Sequence, residues 1–133
     1  AYYDITGVQL LGTNGWNSSD LLLDSGKFVN GAVFVDGFFK DSPLPPVRSF
    51  VMDFEDTFGS SPTLLEALSF DTASLILRTI SNTGSFSSEA LLSLRGYNSV
   101  TGFTGFTAAG EGMRNLFVLT VSKEQIRQVE PGE

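Results

Sequence analysis

Asn14 and Trp16 sit in the run Gly12-Thr13-Asn14-Gly15-Trp16, between an apolar stretch with the look of a strand and a leucine-rich stretch with the look of a helix. In α/β sheets, ligands bind outside the carboxyl ends of the strands. An asparagine amide there both donates and accepts hydrogen bonds, and an indole supplies a flat wall. Thr13 adds a hydroxyl beside them. The same residues also fit an ordinary turn with Trp16 folded back on a core. Gly12 and Gly15 ahead of a helix faintly suggest a phosphate loop, but their spacing matches neither the P-loop nor the dinucleotide pattern.

Phe70-Asp71 reads in two ways. Asp is a poor residue for a helix middle, so Asp71 belongs to a solvated face or partners a neighbouring backbone. The alternative is an aromatic and acidic pair at a pocket edge. Asp53, Glu55 and Asp56 cluster on one helix, and nothing singles out a working carboxylate pair among them. Histidine and cysteine are both absent, which removes the commonest general base and the thiolate metal ligands. Serines are many, but no Gly-x-Ser-x-Gly elbow occurs and no histidine is present to activate one. Lys27, Lys40 and Lys123 lie in plain contexts. These residues predict no catalytic group, metal or cofactor within this chain.

Composition narrows the class further. The 133 residues suit one domain of average size. With 41% hydrophobic and 17% charged residues, the balance is globular. The formal charge of −7 disfavours a polyanionic partner, so nucleic acid is not expected. No apolar run reaches the roughly 20 residues that span a bilayer. The chain opens Ala1-Tyr2-Tyr3-Asp4 without a signal-like stretch, which reads as a processed or cut chain.

The elements that must position these residues follow from patterning. Residues 7–12 and 31–36 read as strands flanking a short helix with Leu21, Leu22 and Leu23, capped by Ser18 or Ser19 and ended by Gly26. That order is a βαβ unit with a parallel sheet. Residues 40–46, with Pro43, Pro45 and Pro46, read as a linker or crossover. Val47, Phe50, Val51, Phe54 and Phe58 recur at helical spacing, predicting a helix over 46–58. A long helix starts near Ser61-Pro62 and runs to about Thr79, with Asn82 and Gly84 as its stop. Ser87 or Ser88 caps another around Leu91, Leu92 and Leu94. Residues 102–107 alternate as a strand, and 115–121 read as the strand returning to pair with it across a long turn. The tail from Gln125 is expected to fray.

The order of these pieces resembles the C-terminal third of type I periplasmic binding proteins, the leucine/isoleucine/valine-binding family. It looks closest to the branch of receptor-family ligand-binding proteins and penicillin-binding-protein activators. The resemblance rests on Gly7 to Thr13 with Trp16, Gly31 to Phe39, Phe50 to Pro62, Leu68 to Ala73, and Val100 to Phe106. It implies an α/β fold of parallel-sheet, Rossmann-like lobes, only partly covered by this chain, with ligand held in a cleft between two lobes. Residues 1–39 would then end one lobe and 40–46 would cross over. Residues 47–107 would belong to the other lobe, and 108–133 would form a turn, return strand and tail near the hinge. Carried over by position, Thr13, Asn14, Trp16, Phe70 and Asp71 are the implied ligand contacts. Asn14 stands where amino-acid binders of the family often carry an acid, which argues against an α-amino-acid ligand. The implied role is a periplasmic solute receptor serving an ABC permease, amino acid transport included. The alternative is an outer-membrane lipoprotein that activates peptidoglycan synthases by contact. Either way, the implied partners include the remainder of a parent chain or an exchanged dimer partner.

Overall fold

In a computed structural model, residues 7–25 and 28–129 are described, the side chains of residues 24 and 25 excepted. Gly26 and Lys27 lie outside the described residues. The chain divides into two compact units, residues 1–36 with 117–133, and residues 37–116. It passes between them at Asp36–Gly37 and returns at Leu116–Phe117.

The first unit is built on a four-stranded sheet of order β1-β2-β5-β6. β1 is Leu11–Gly12 and β2 is Val33–Asp36, paired in parallel, with α1 (Ser19–Ser25) on the connection between them. This is the βαβ unit that the sequence pattern predicts, with shorter strands. β5 (Phe117–Ser122) runs antiparallel to β2, and β6 (Gln125–Gln128) antiparallel to β5. Alternation places Phe34, Leu119 and Val121 almost wholly out of solvent, while Val35 and Val118 face outward.

Two expectations fail in this region. The strand at 115–121 does not pair with the one at 102–107. Its apolar alternation, Phe117, Leu119 and Val121, is used on β2 instead. The tail does not fray at Gln125. Lys123 and Glu124 adopt φ of 52° and 58°, and two consecutive left-handed residues make the tight turn that folds β6 back on β5. Neither residue type advertises such a turn.

The second unit holds α2 (Pro45–Phe58), α3 (Leu64–Thr83), α4 (Ser88–Ser93) and a two-stranded ribbon of β3 (Phe103–Phe106) and β4 (Gly112–Arg114). Residues 40–46 lie inside this unit, with Pro45 and Pro46 in the first turn of α2, where a missing N–H costs nothing. Val47 and Phe50 are the buried part of its apolar face, and Gly59 ends it at φ 69°.

α3 starts later than Ser61-Pro62 suggests. Thr63 is the cap: its Oγ1 accepts from Leu65 N, and Glu66 Oε2 accepts from Thr63 N at 2.8 Å. Glu66 also hydrogen-bonds the Thr63 hydroxyl, which holds its carboxyl below the usual carboxylate range. Gly84, at φ 76°, closes the helix after twenty residues. β3 finds its partner at once because Thr107 and Glu111 close a short turn, with Thr107 N donating to Glu111 O at 2.8 Å.

Candidate functional site

Because β1 and β2 are parallel, their carboxyl ends lie on the same side of the sheet. β1 ends at Gly12 and β2 at Asp36. The loop leaving β1 tightens into a single 3-10 turn over Asn14–Trp16, closed by Trp16 N to Thr13 O and Asn17 N to Asn14 O, each 3.0 Å. Asn17 Nδ2 then donates to Asp36 Oδ2 at 2.7 Å. Asp36 is buried, so this bond ties the loop to the end of the neighbouring strand through a charged acceptor. Asn17 and Asp36 are residues of this candidate site that sequence reasoning missed. The signal available was positional, since loops at neighbouring parallel strand ends converge.

Within this loop Thr13 and Asn14 are exposed and Trp16 is half-buried. The indole lies flat over Gly12, where an added Cβ would fall 2.5 Å from Trp16 Cδ2, and its ring centre is 6.3 Å from that of Phe34. The turn therefore fixes the Trp16 ring on the sheet and leaves the Asn14 amide at the surface. Gly12→Ala is expected to lift the indole, shift its emission to the red and cost about 1–3 kcal/mol, the usual penalty of overpacking. Fluorescence and urea denaturation of the variant check this.

Phe70 and Asp71 are neighbours on α3 and have different surroundings. Phe70 stacks on Phe50 with ring centres 4.7 Å apart and stays partly exposed. Phe38 meets Phe50 in an edge-to-face arrangement, with ring centres 5.9 Å apart. Asp71 is buried and accepts from Val100 N at 2.9 Å, Thr101 N at 2.8 Å and Thr101 Oγ1 at 2.5 Å. Tyr97 Oη donates to the Asp71 carbonyl at 2.9 Å. The carboxylate thus clamps the middle of α3 to the entry of β3, the backbone-partner reading of the two that sequence left open. Beside it lies a hollow of about 250 Å³ with Leu68, Leu75, Phe103 and Phe106 as apolar walls and Arg114 at one side.

Burial, with the Asp71 carboxylate next, pushes the Tyr97 phenol up to about 12 from 10.0. The folded state therefore holds the phenol proton more tightly than the unfolded chain. The resulting stability is complete below pH 10 and is lost as pH rises through about 12. Unfolding free energy is expected to fall across that window, and Tyr97→Phe to flatten the fall. Denaturant titrations at several pH values, variant against parent, measure it.

Thr13, Asn14 and Trp16 come together in the first unit, and Phe70 and Asp71 in the second. No described helix is long and apolar enough to cross a membrane. A sequence model of a family described as periplasmic binding protein matches residues 3–125. The fold is similar to that of a protein described as a branched-chain amino acid ABC transporter from Rhodospirillum rubrum, at a TM-score of 0.88 and 24% identity over 96% of this chain. It is also similar to the substrate-binding protein LivJ from Streptococcus pneumoniae, solved with isoleucine, at a TM-score of 0.67 and 18% identity over 94% of this chain. A solute-binding protein from R. palustris, solved with benzoate, matches at 0.63 and 17% over 92%. The chain spans 39%, 38% and 35% of the lengths of these three proteins. No curated protein sequence matches it.

Proposed function

The chain belongs to the periplasmic binding protein family, and from that premise we propose that it forms part of a receptor that captures a small polar solute outside the cytoplasm for an ABC permease. Binding is the whole of its task, and no bond is made or broken. In this reading solute favours the arrangement of the receptor that makes the most contacts with it. Asn14 hydrogen-bonds the solute and Thr13 and Trp16 flank it; Phe70 and Asp71, in the second unit, are proposed as contacts in their own right.

The observation that carries this reading is the loop at the joint carboxyl ends of β1 and β2. It is held by the Asn17–Asp36 bond and presents the Asn14 amide to solvent. The Thr13, Asn14 and Trp16 side chains carry no formal charge, which favours a solute bound here by neutral hydrogen bonds and stacking. The similar proteins solved with isoleucine and with benzoate support testing both amino acids and aromatic acids.

The test is thermal denaturation of the receptor containing this chain against branched-chain amino acids, aromatic carboxylates and neutral polar metabolites. A true ligand at a hundred times its Kd stabilises by about 2.7 kcal/mol. Asn14→Ala is expected to reduce affinity about tenfold or more, as expected on losing a hydrogen-bonding partner. If no compound stabilises the parent, or if Asn14→Ala binds the active compound unchanged, the proposal fails.

A further inference from the structure

Leu68, Asp71 and Leu75 bring the inward face of α3 to the hollow of the second unit. The exposed Phe70, Leu77 and Ile80 occupy the opposite face of the helix, so the hollow is a separate feature. Its floor is buried, with Asp71, Thr101 and Phe103 only 6%, 0% and 8% exposed. Its rim meets solvent at Thr72, Gly112 and Arg114. The space between is about 250 Å³, far more than the voids that packed interiors keep. Leu68, Leu75, Phe103 and Phe106 make the walls apolar, and water is poorly held where polar partners are few.

Arg114 gives this apolar space a chemical preference. Its guanidinium lies over the Phe103 ring, 6.0 Å from the ring centre, and its Nη1 donates to Thr101 Oγ1 at a long 3.4 Å. It makes no ion pair with a described residue. A guanidinium carries five N–H donors in a fork that matches a carboxylate, and most of them are unused here. The Asp71 carboxylate at the floor is already engaged. One of its oxygens accepts from Val100 N at 2.9 Å, and the other from Thr101 N at 2.8 Å and from the Thr101 hydroxyl. These donors offset its charge, and the Thr101 hydroxyl stands between it and Arg114.

We propose that the hollow is a second binding site, for a small monocarboxylate with an apolar tail. The carboxylate pairs with Arg114 at the rim, and the tail lies between the leucines of α3 and the phenylalanines of β3. An apolar cavity of roughly 150 Å³ holds benzene, so this one takes a tail of about six carbons. A strongly polar solute would leave the walls unfilled, and a neutral hydrocarbon would make no use of the Arg114 fork. The site lies wholly in the second unit, apart from the Asn14 loop, and so does not rest on solute capture there.

The test is calorimetric titration of the protein containing this chain with hexanoate and with hexanamide, its neutral counterpart of nearly the same shape. Hexanoate is expected to bind about tenfold tighter or more, the usual worth of a hydrogen bond to a charged group. Arg114→Gln, at an exposed position, is expected to remove that preference by weakening hexanoate and leaving hexanamide little changed. Leu75→Trp fills the hollow and is expected to abolish binding of both, with circular dichroism confirming the fold. Thr72→Trp, at the exposed rim, takes its place if Leu75→Trp does not fold. Asn14→Ala is expected to leave hexanoate affinity little changed.

The proposal fails if hexanoate gives no saturable heat, or if Arg114→Gln binds it as tightly as the parent. It fails equally if Asn14→Ala abolishes hexanoate binding, which would place the compound at the loop of the first unit. Equal affinities for hexanoate and hexanamide would remove the carboxylate from the account. Solute capture at Asn14 without hexanoate binding would overturn this site alone.

Discussion

Gly102→Ala is expected to destabilise the protein by about 3 kcal/mol or more, the upper end of what overpacking costs. Gly102 has a φ of 70°, a left-handed conformation that costs a residue with a Cβ roughly 1 kcal/mol. The greater penalty is steric. A Cβ there would fall 1.9 Å from the carbonyl oxygen of Asn115, and that oxygen is backbone, with no rotamer in which to retreat. The two residues are already joined by Asn115 N donating to Gly102 O at 2.8 Å. Any shift therefore moves the stretch that carries the chain out of β4 toward β5. Gly84→Ala is the matched control. Gly84 has a φ of 76° but open space around the added atom, so it is expected to lose only about 1 kcal/mol. Urea denaturation of both variants separates conformational cost from collision. Equal losses would show that the Asn115 contact relaxes freely.

An effect at least as large is expected at Asp71. Asp71→Ala leaves the buried N–H groups of Val100 and Thr101 without their acceptor, together with the Thr101 hydroxyl. Unmet buried donors cost about 1–3 kcal/mol each, so a loss near 3–5 kcal/mol is expected after relaxation. Asp71→Asn keeps the shape and one acceptor oxygen, and is expected to lose about half as much. The partners form one network, so Asp71→Ala and Tyr97→Phe together should cost less than the sum of the two alone. A double-mutant cycle by chemical denaturation measures this. Full additivity would mean that Tyr97 and Asp71 do not share a network.

Much of this architecture is written in local pattern. The apolar spacing from Val47 to Phe58 marks α2, and prolines at its first turn agree with the helix rather than opposing it. Glycines at 59 and 84 mark helix ends because only glycine takes the left-handed cap cheaply. The β1–β2 parallel pair follows from strand, helix and strand in close order. What the sequence leaves hidden is choice among partners. Phe117, Leu119 and Val121 alternate equally well for either neighbour, and pairing with β2 is settled by packing across the sheet rather than by anything in the strand itself. The Lys123-Glu124 turn lacks the Asn-Gly signature, so β6 was invisible.

The candidate site shows the same division. Asn14 and Trp16 are legible from their place after a strand, because the rule that ligands gather at strand carboxyl ends depends only on order. The Asn17–Asp36 bond joins residues nineteen apart and needs the parallel register to bring them together. Asp71 looks out of place in a helix until the backbone of Val100 and Thr101 arrives from thirty residues away. Mid-helix acids of this kind are informative because propensity argues against them and a distant partner must compensate.

The loop carrying Asn14 also carries the only tryptophan of this chain, so the most direct test of solute capture there is the emission of Trp16 during titration with a solute that stabilises the receptor. The account predicts a saturable change in emission, with Trp16→Phe identifying its source. Asn14→Ala should shift the midpoint at least tenfold. Stabilisation by solute with Trp16 emission unmoved and the Asn14→Ala midpoint unchanged would mean that the loop is an ordinary turn and that solute binds elsewhere.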